Sequence, residues 1–137
     1  DMMKHRWPDL GLLAIRHGLG GMYAFVHGWP KLTAGPVLWE KLGGAMAGLG
    51  VTFAPAFWGF MAAFAEFGGG IALILGIGFR TIVPLLIFTM VVAATKHLTG
   101  GDGLGAASHA IENACVLLGL FLSGPGAFSV TLKRGKG

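Results

Sequence analysis

Three ionisable residues, Arg16, Glu66 and Glu112, lie inside stretches of sequence that are otherwise almost entirely apolar. A charge at the centre of a bilayer costs about 2.5–3.5 kcal/mol on insertion scales, so such residues usually face a bundle interior and pair there. Two carboxylates for one arginine leave one acid over, which desolvation or a hydrogen bond to a histidine would keep protonated. We therefore take these three as candidate catalytic residues, with Arg16 stabilising charge and the glutamates handling protons.

Helical spacing adds five candidate ligand-binding residues to these three. In a first helix, two of them share the face of Arg16 and a third extends it, while another lies one turn before Glu112. We expect one polar column, with histidines at the outer face, Glu112 one turn deeper, and an Arg16–Glu66 pair near mid-membrane. The alternative is that this pair merely locks two helices together. The five ligand-binding candidates are Tyr23, His27, Lys31, His97 and His109.

Other chemistry finds little support in the sequence. Three imidazoles could begin a zinc or copper site, but they lie on separate segments without an HxxxH or HxxH pair, so no metal site is predicted. The single cysteine, Cys115, lies in an apolar run and is expected to be a buried, inert thiol. The basic residues form no patch with interleaved aromatics, which excludes a nucleic-acid footprint.

The elements that must hold these residues are membrane helices. Hydrophobic residues make up 54% of the 137 residues and charged residues only 12%. Counting Gly and leaving out the single Tyr gives an apolar share of about 72%, against about 45–50% in an ordinary soluble domain. This composition excludes a soluble enzyme or a disordered chain. It predicts an all-α integral membrane protein with a single domain over residues 1–137.

Four apolar stretches are long enough, or nearly so, to cross a bilayer, which takes about 20 residues in a helix. They cover residues 10–27, 56–77, 81–97 and 108–123, and they predict a four-helix bundle. The segment from Gly28 to Pro55 mixes charged and apolar groups, and we expect a short helix there that lies in the interface or dips back into the bundle. The many glycines predict close packing of the helices.

The distribution of lysine and arginine predicts the orientation. If both termini share a side, that side carries six of these residues and the opposite side carries three. This excess favours cytoplasmic termini. We expect a multi-pass protein of a bacterial or archaeal cytoplasmic membrane.

Three motifs, in this order on four predicted helices, resemble the DoxX family of small membrane proteins. The first runs from Arg16 through the glycines to Phe25-Val26-His27-Gly28-Trp29-Pro30-Lys31-Leu32. The second is Ala63-Phe64-Ala65-Glu66-Phe67-Gly68-Gly69, continuing to Arg80. The third is Glu112 followed by Gly124-Pro125-Gly126-Ala127-Phe128-Ser129. The likeness covers about residues 10 to 132.

The resemblance implies a four-helix membrane fold and a redox context. The family includes a membrane subunit associated with thiosulfate:quinone oxidoreductase and relatives tied to redox maturation. It therefore implies lipids and other subunits as partners, a quinone as the ligand, and at most the role of a cofactor-free subunit of an oxidoreductase. In that reading His27 or His109 hydrogen-bonds the quinone headgroup. Two departures are the lone Cys115 and the absence of an aromatic residue beside Glu112.

Two further interpretations stay open at this stage. A purely structural or assembly subunit without chemistry of its own suits the small size, the glycine content and the lack of a cofactor motif. A small transporter is less well supported because no inverted repeat is visible in the sequence.

Overall fold

The structure, a computed structural model, describes the backbone of residues 2–130 and the side chains of residues 6–130. Every regular element in this part of the chain is helical. The α-helices are α1 (Met2–Gly21), α2 (Trp29–Ala34), α3 (Pro36–Gly43), α4 (Pro55–Leu75), α5 (Phe79–Thr99) and α6 (Gly103–Ser123). A π-helical segment, Met22–Gly28, joins α1 to α2, and a 3₁₀ segment, Gly44–Leu49, follows α3.

Three of these helices, α4, α5 and α6, are long and apolar enough to cross a membrane. Each has 21 residues, which suits a hydrocarbon core about 30 Å thick. Large apolar side chains cover their outer surfaces, including Phe64, Leu85 and Leu122, all of which are exposed in the isolated chain. The predicted second, third and fourth spans are thus confirmed as helices.

The first helical segment is longer than the sequence predicts. Helical geometry runs without a break from Met2 through the π-helical segment to Ala34. The π-helical hydrogen bonding is visible at Trp29, whose N–H donates to the carbonyl of Ala24, five residues earlier. Gly35 then ends the helix at φ +94° and ψ −178°, a conformation that L side chains rarely adopt.

Residues from Arg16 to Gly43 run antiparallel along α4, held by close backbone approaches. Gly20 lies against the backbone of Gly70, and Gly28 lies against that of Phe67. Farther along, the backbones of α3 and α4 approach so closely at two pairs that a Cβ would overlap its neighbour: Gly43 with Pro55, and Gly59 with Trp39. Glycine permits these approaches because it lacks a side chain, as in other membrane helix pairs.

The hydrophobic core lies where α1, α4, α5 and α6 meet. Leu73 of α4, Val83 and Leu86 of α5, and Leu117 of α6 are fully buried there. Leu86 packs against Gly69, which lets α5 approach α4 at that level. Helices α4 and α5 are therefore in contact near the C-terminus of α4. Toward the N-terminus of α4, the space between the two helices stays open.

Candidate functional site

An ion pair joins Lys31 of α2 to Glu66 near the middle of α4. The Lys31 Nζ lies 2.9 Å from Glu66 Oε2 and 3.2 Å from Oε1, so the ammonium donates to both oxygens. The Glu66 side chain is only 5% exposed and that of Lys31 is 31% exposed. The indole N–H of Trp39 donates to the Lys31 carbonyl over 2.9 Å and holds the backbone of α2 in place.

This arrangement corrects the predicted Arg16–Glu66 pair. That prediction placed Arg16 at the depth of Glu66, whereas Arg16 lies beside Leu73 and Ile74, in the last turn of α4. It also assumed a regular α-helix, in which Arg16, Tyr23 and His27 share one face. A π-helix closes its hydrogen bonds over one more residue than an α-helix and so turns less per residue. The buried face therefore passes from Tyr23 to Gly28 instead of to His27, which is exposed. Lys31, one turn on, then reaches Glu66.

A cavity of about 720 Å³ opens beside this ion pair, between α4, α5 and the segment after α3. Lys31 and Glu66 form its polar wall, and Lys96 and His97 line it near the end of α5. The His97 Nδ1 lies 3.0 Å from the Asp102 carboxylate. The remaining walls are mostly apolar, and they include Phe57, Trp58, Met61, Phe64, Ile82, Leu85 and Phe88.

Tyr23 lies within the core instead of lining the cavity. Its hydroxyl is buried, and no hydrogen-bond partner for it is found within residues 6–130. Of the eight sequence-predicted site residues, the structure thus brings three to the cavity: Glu66, Lys31 and His97.

Arg16 has a different role from the one predicted. Its side chain is fully buried, and it donates four hydrogen bonds of 2.7–2.9 Å to main-chain carbonyl oxygens. Two acceptors lie in the last turn of α4 and two in the segment after α6. They are the carbonyls of Leu73, Ile74, Pro125 and Phe128. The guanidinium is therefore committed to tying α4 to the chain after α6.

Together with its neighbours, Arg16 satisfies the C-terminus of α4. The last four carbonyls of an α-helix have no partner within the helix. Here Arg16 takes the two central ones, and main-chain N–H groups take the outer two. The N–H groups of Gly76 and Ile77 donate to the carbonyl of Ala72. The N–H group of Val130 donates to the carbonyl of Leu75. The positive charge of the guanidinium also interacts favourably with the negative, C-terminal end of the α4 dipole.

The last two candidates, His109 and Glu112, lie outside the site. Their side chains point away from α5 and are 90% and 70% exposed, with 3.9 Å between His109 Nδ1 and Glu112 Oε2. The predicted polar column is therefore wrong, because the buried face of α6 is formed by apolar residues and the two polar ones lie opposite it. The buried residues of α6 are Ala107, Ala110, Leu117 and Leu120.

Sequence reasoning missed two parts of the site. One is Asp102, a carboxylate that follows His97 by five residues and is close enough in sequence to suggest a hydrogen bond. The other is the set of apolar cavity walls. The sequence does not indicate them, because residues such as Trp58 and Phe88 are typical of any membrane-spanning helix. Cys115, expected to be buried, is exposed on α6.

The apolar helices and the buried ion pair define a small all-α membrane protein. The DoxX family profile matches residues 11–99, more than half of the chain, and the protein belongs to this family. No curated protein and no solved structure shows a significant match to it.

Proposed function

We propose that this protein binds a quinone in the cavity between α4 and α5 and acts as a membrane subunit of a quinone-linked redox complex. The observation that carries the proposal is the Lys31–Glu66 pair, with its carboxylate buried, at the wall of a large, mostly apolar cavity. Ligand cavities in proteins measure about 300–1,000 Å³ and combine apolar walls with a few polar groups, which is the pattern here.

The cavity suits both parts of a quinone. Aromatic and aliphatic side chains, among them Trp58, Met61 and Phe88, would pack against the ring and the tail. The Lys31 ammonium has three N–H donors and uses two on Glu66. Within residues 6–130 the third has no acceptor, and it would donate to a quinone carbonyl oxygen.

Quinone reduction takes up two electrons and two protons. In our proposal a partner subunit supplies the electrons, and the Lys31 ammonium gives a proton to the quinone oxygen that it contacts. Glu66 takes up protons from the cavity and returns them to Lys31. His97, at the other end of the cavity, connects this space to the polar residue Asp102 and would renew the protons. Arg16, Glu112, His27 and His109 have no part in this scheme, since none of them lines the cavity.

We also propose a fourth membrane crossing, formed by the chain from Arg16 to Gly43 with its break at Gly35. Its antiparallel course along α4 supports this, and it would complete a four-helix bundle, with the short helix α3 as the last part of this crossing. Both termini would then lie on the cytoplasmic side of a bacterial or archaeal cytoplasmic membrane, as the lysine and arginine count favours.

Trp58 provides a direct assay of binding. Quinones quench tryptophan fluorescence on contact, and Trp58 lines the cavity. A decyl-substituted benzoquinone titrated into the protein in lipid nanodiscs should quench the fluorescence saturably. Lys31→Met should raise Kd roughly 10–100-fold, the effect of losing one hydrogen bond from a charged group.

Two variants serve as controls. Lys41→Met removes an exposed lysine that does not line the cavity, and it should leave the Kd unchanged. Trp58→Phe should remove most of the saturable quenching while circular dichroism shows an intact helical protein. Equal affinities for the wild type and Lys31→Met, in a folded protein, would contradict the proposal.

The second candidate function is a structural subunit. The role of Arg16 favours it, because the most deeply buried charge of the described chain holds backbone segments together instead of facing a ligand. If the protein is a structural subunit, no quinone binds to it saturably. The complex to which it belongs should then fail to assemble when the protein is removed.

A further inference from the structure

The hydroxyl group of Tyr23 is a buried polar group that the proposed site does not yet use. Tyr23 is 3% exposed, and its Oη has no hydrogen-bond partner within residues 6–130. The core cluster that surrounds its ring consists otherwise of apolar residues. Burial of an unpaired hydroxyl is unfavourable, so native proteins keep such a group only rarely. We therefore expect a state of the protein in which this hydroxyl has a partner.

The Glu66 carboxyl group is the partner that the helix packing places beside this hydroxyl. The residues after Tyr23 fix its level along α4: Ala24 lies against Gly70, and Gly28 lies against the residue that follows Glu66. The charge of the Glu66 carboxylate also acts on the Tyr23 hydroxyl. Both side chains are buried in the same part of the bundle.

In the structure the Lys31 ammonium holds both oxygens of the Glu66 carboxylate. In the proposed reaction Lys31 gives a proton to the quinone and becomes a neutral amine, so Glu66 loses its cation until it returns a proton to Lys31. A buried carboxylate without a counter-charge is strongly unfavourable unless other donors satisfy it. This interval therefore requires a second donor at Glu66.

We propose that Tyr23 is a positioning residue for Glu66, whose carboxyl group turns from Lys31 to the Tyr23 hydroxyl when the lysine no longer carries its charge. A tyrosine hydroxyl donates to a carboxylate and accepts from a protonated carboxyl group, so it serves both forms of Glu66. The phenol keeps its proton throughout. The part of this contact in quinone reduction rests on the proposed function, whereas the contact itself is testable without a quinone.

A double-mutant cycle of Tyr23→Phe and Lys31→Met tests this contact. In the wild type the hydroxyl has no partner, so Tyr23→Phe should leave the unfolding equilibrium constant unchanged or lower it. In Lys31→Met the hydroxyl bonds to Glu66, and Tyr23→Phe should raise the constant roughly tenfold, the effect of losing one hydrogen bond. Unfolding in mixed detergent micelles, followed by circular dichroism, gives both constants.

The double variant Lys31→Met, Glu66→Leu is the matched control. It has no carboxyl group for the hydroxyl to bind, so Tyr23→Phe should again cost no stability there. Infrared spectroscopy in lipid nanodiscs gives a second reading that needs no unfolding. In Lys31→Met at acidic pH, the C=O band of protonated Glu66 should move to higher frequency with Tyr23→Phe, because a hydrogen bond is lost. Equal effects of Tyr23→Phe on the stability of the wild type and of Lys31→Met, or an unshifted C=O band, would overturn the proposal.

Discussion

Replacing Arg16 with methionine is expected to lower the free energy of unfolding by at least about 4 kcal/mol. The substitution removes four hydrogen bonds from a charged donor and leaves four carbonyl oxygens without partners, the one of Leu73 buried and the other three partly buried. Arg16→Lys should recover only part of the loss, because an ammonium has three donors at one point instead of a planar fork. Thermal unfolding in detergent, followed by circular dichroism, measures the effect.

Arg80 provides a matched control for this prediction. It is the second residue of α5, it is exposed, and it donates one hydrogen bond to the carbonyl of Phe121. Arg80→Met should therefore cost about 1 kcal/mol. If Arg16→Met proved no more destabilising than Arg80→Met, the role of Arg16 as the tie between α4 and the chain after α6 would be refuted.

The second large effect is expected at the Lys31–Glu66 pair. Lys31→Met leaves the carboxylate of Glu66 buried without its cation, and breaking a buried ion pair in this way typically costs about 3–5 kcal/mol. Protonation of Glu66 would recover part of this. The double variant Lys31→Met, Glu66→Leu removes both charges, and it should regain most of the stability because well-packed apolar residues replace a buried pair at little cost.

The double variant also separates stability from function. It should fold nearly as well as the wild type yet bind quinone at least as weakly as Lys31→Met, since it lacks both members of the ion pair at the cavity wall. Unfolding and quinone titration on the same four proteins, wild type, both single variants and the double variant, measure the two effects side by side. Additive losses of stability in the double variant would show that the two residues do not interact.

The sequence predicts the apolar architecture well, because a membrane span leaves a simple signal of length and hydropathy. Helices α4, α5 and α6 lie where three of the four expected spans lie. The first segment could not be predicted in the same way. The π-helical segment Met22–Gly28 has no recognised sequence signature, and it changes which residues after it face α4.

The site was predicted in part for the same reason. Glu66 could be identified because burying a carboxylate is costly, and this cost does not depend on which residue pairs with it. Its partner depends on the register of the first helix along α4, which the sequence does not give: Arg16 lies beside Leu73, and Lys31 lies beside Glu66. The outward position of Glu112 likewise follows from which face of α6 meets α5, and both faces of that helix contain apolar residues.

Photoaffinity labelling tests the central claim, a quinone site between α4 and α5, most directly. An azidoquinone is photolysed with the protein in lipid nanodiscs, and labelled peptides are mapped by mass spectrometry with and without competing quinone. Labelling should fall on cavity residues such as Trp58, Met61 and Phe88, and competing quinone should abolish it. Label on the shallow apolar depression between α5 and α6, around Cys115 and Leu118, or label that competing quinone does not reduce, would contradict the claim.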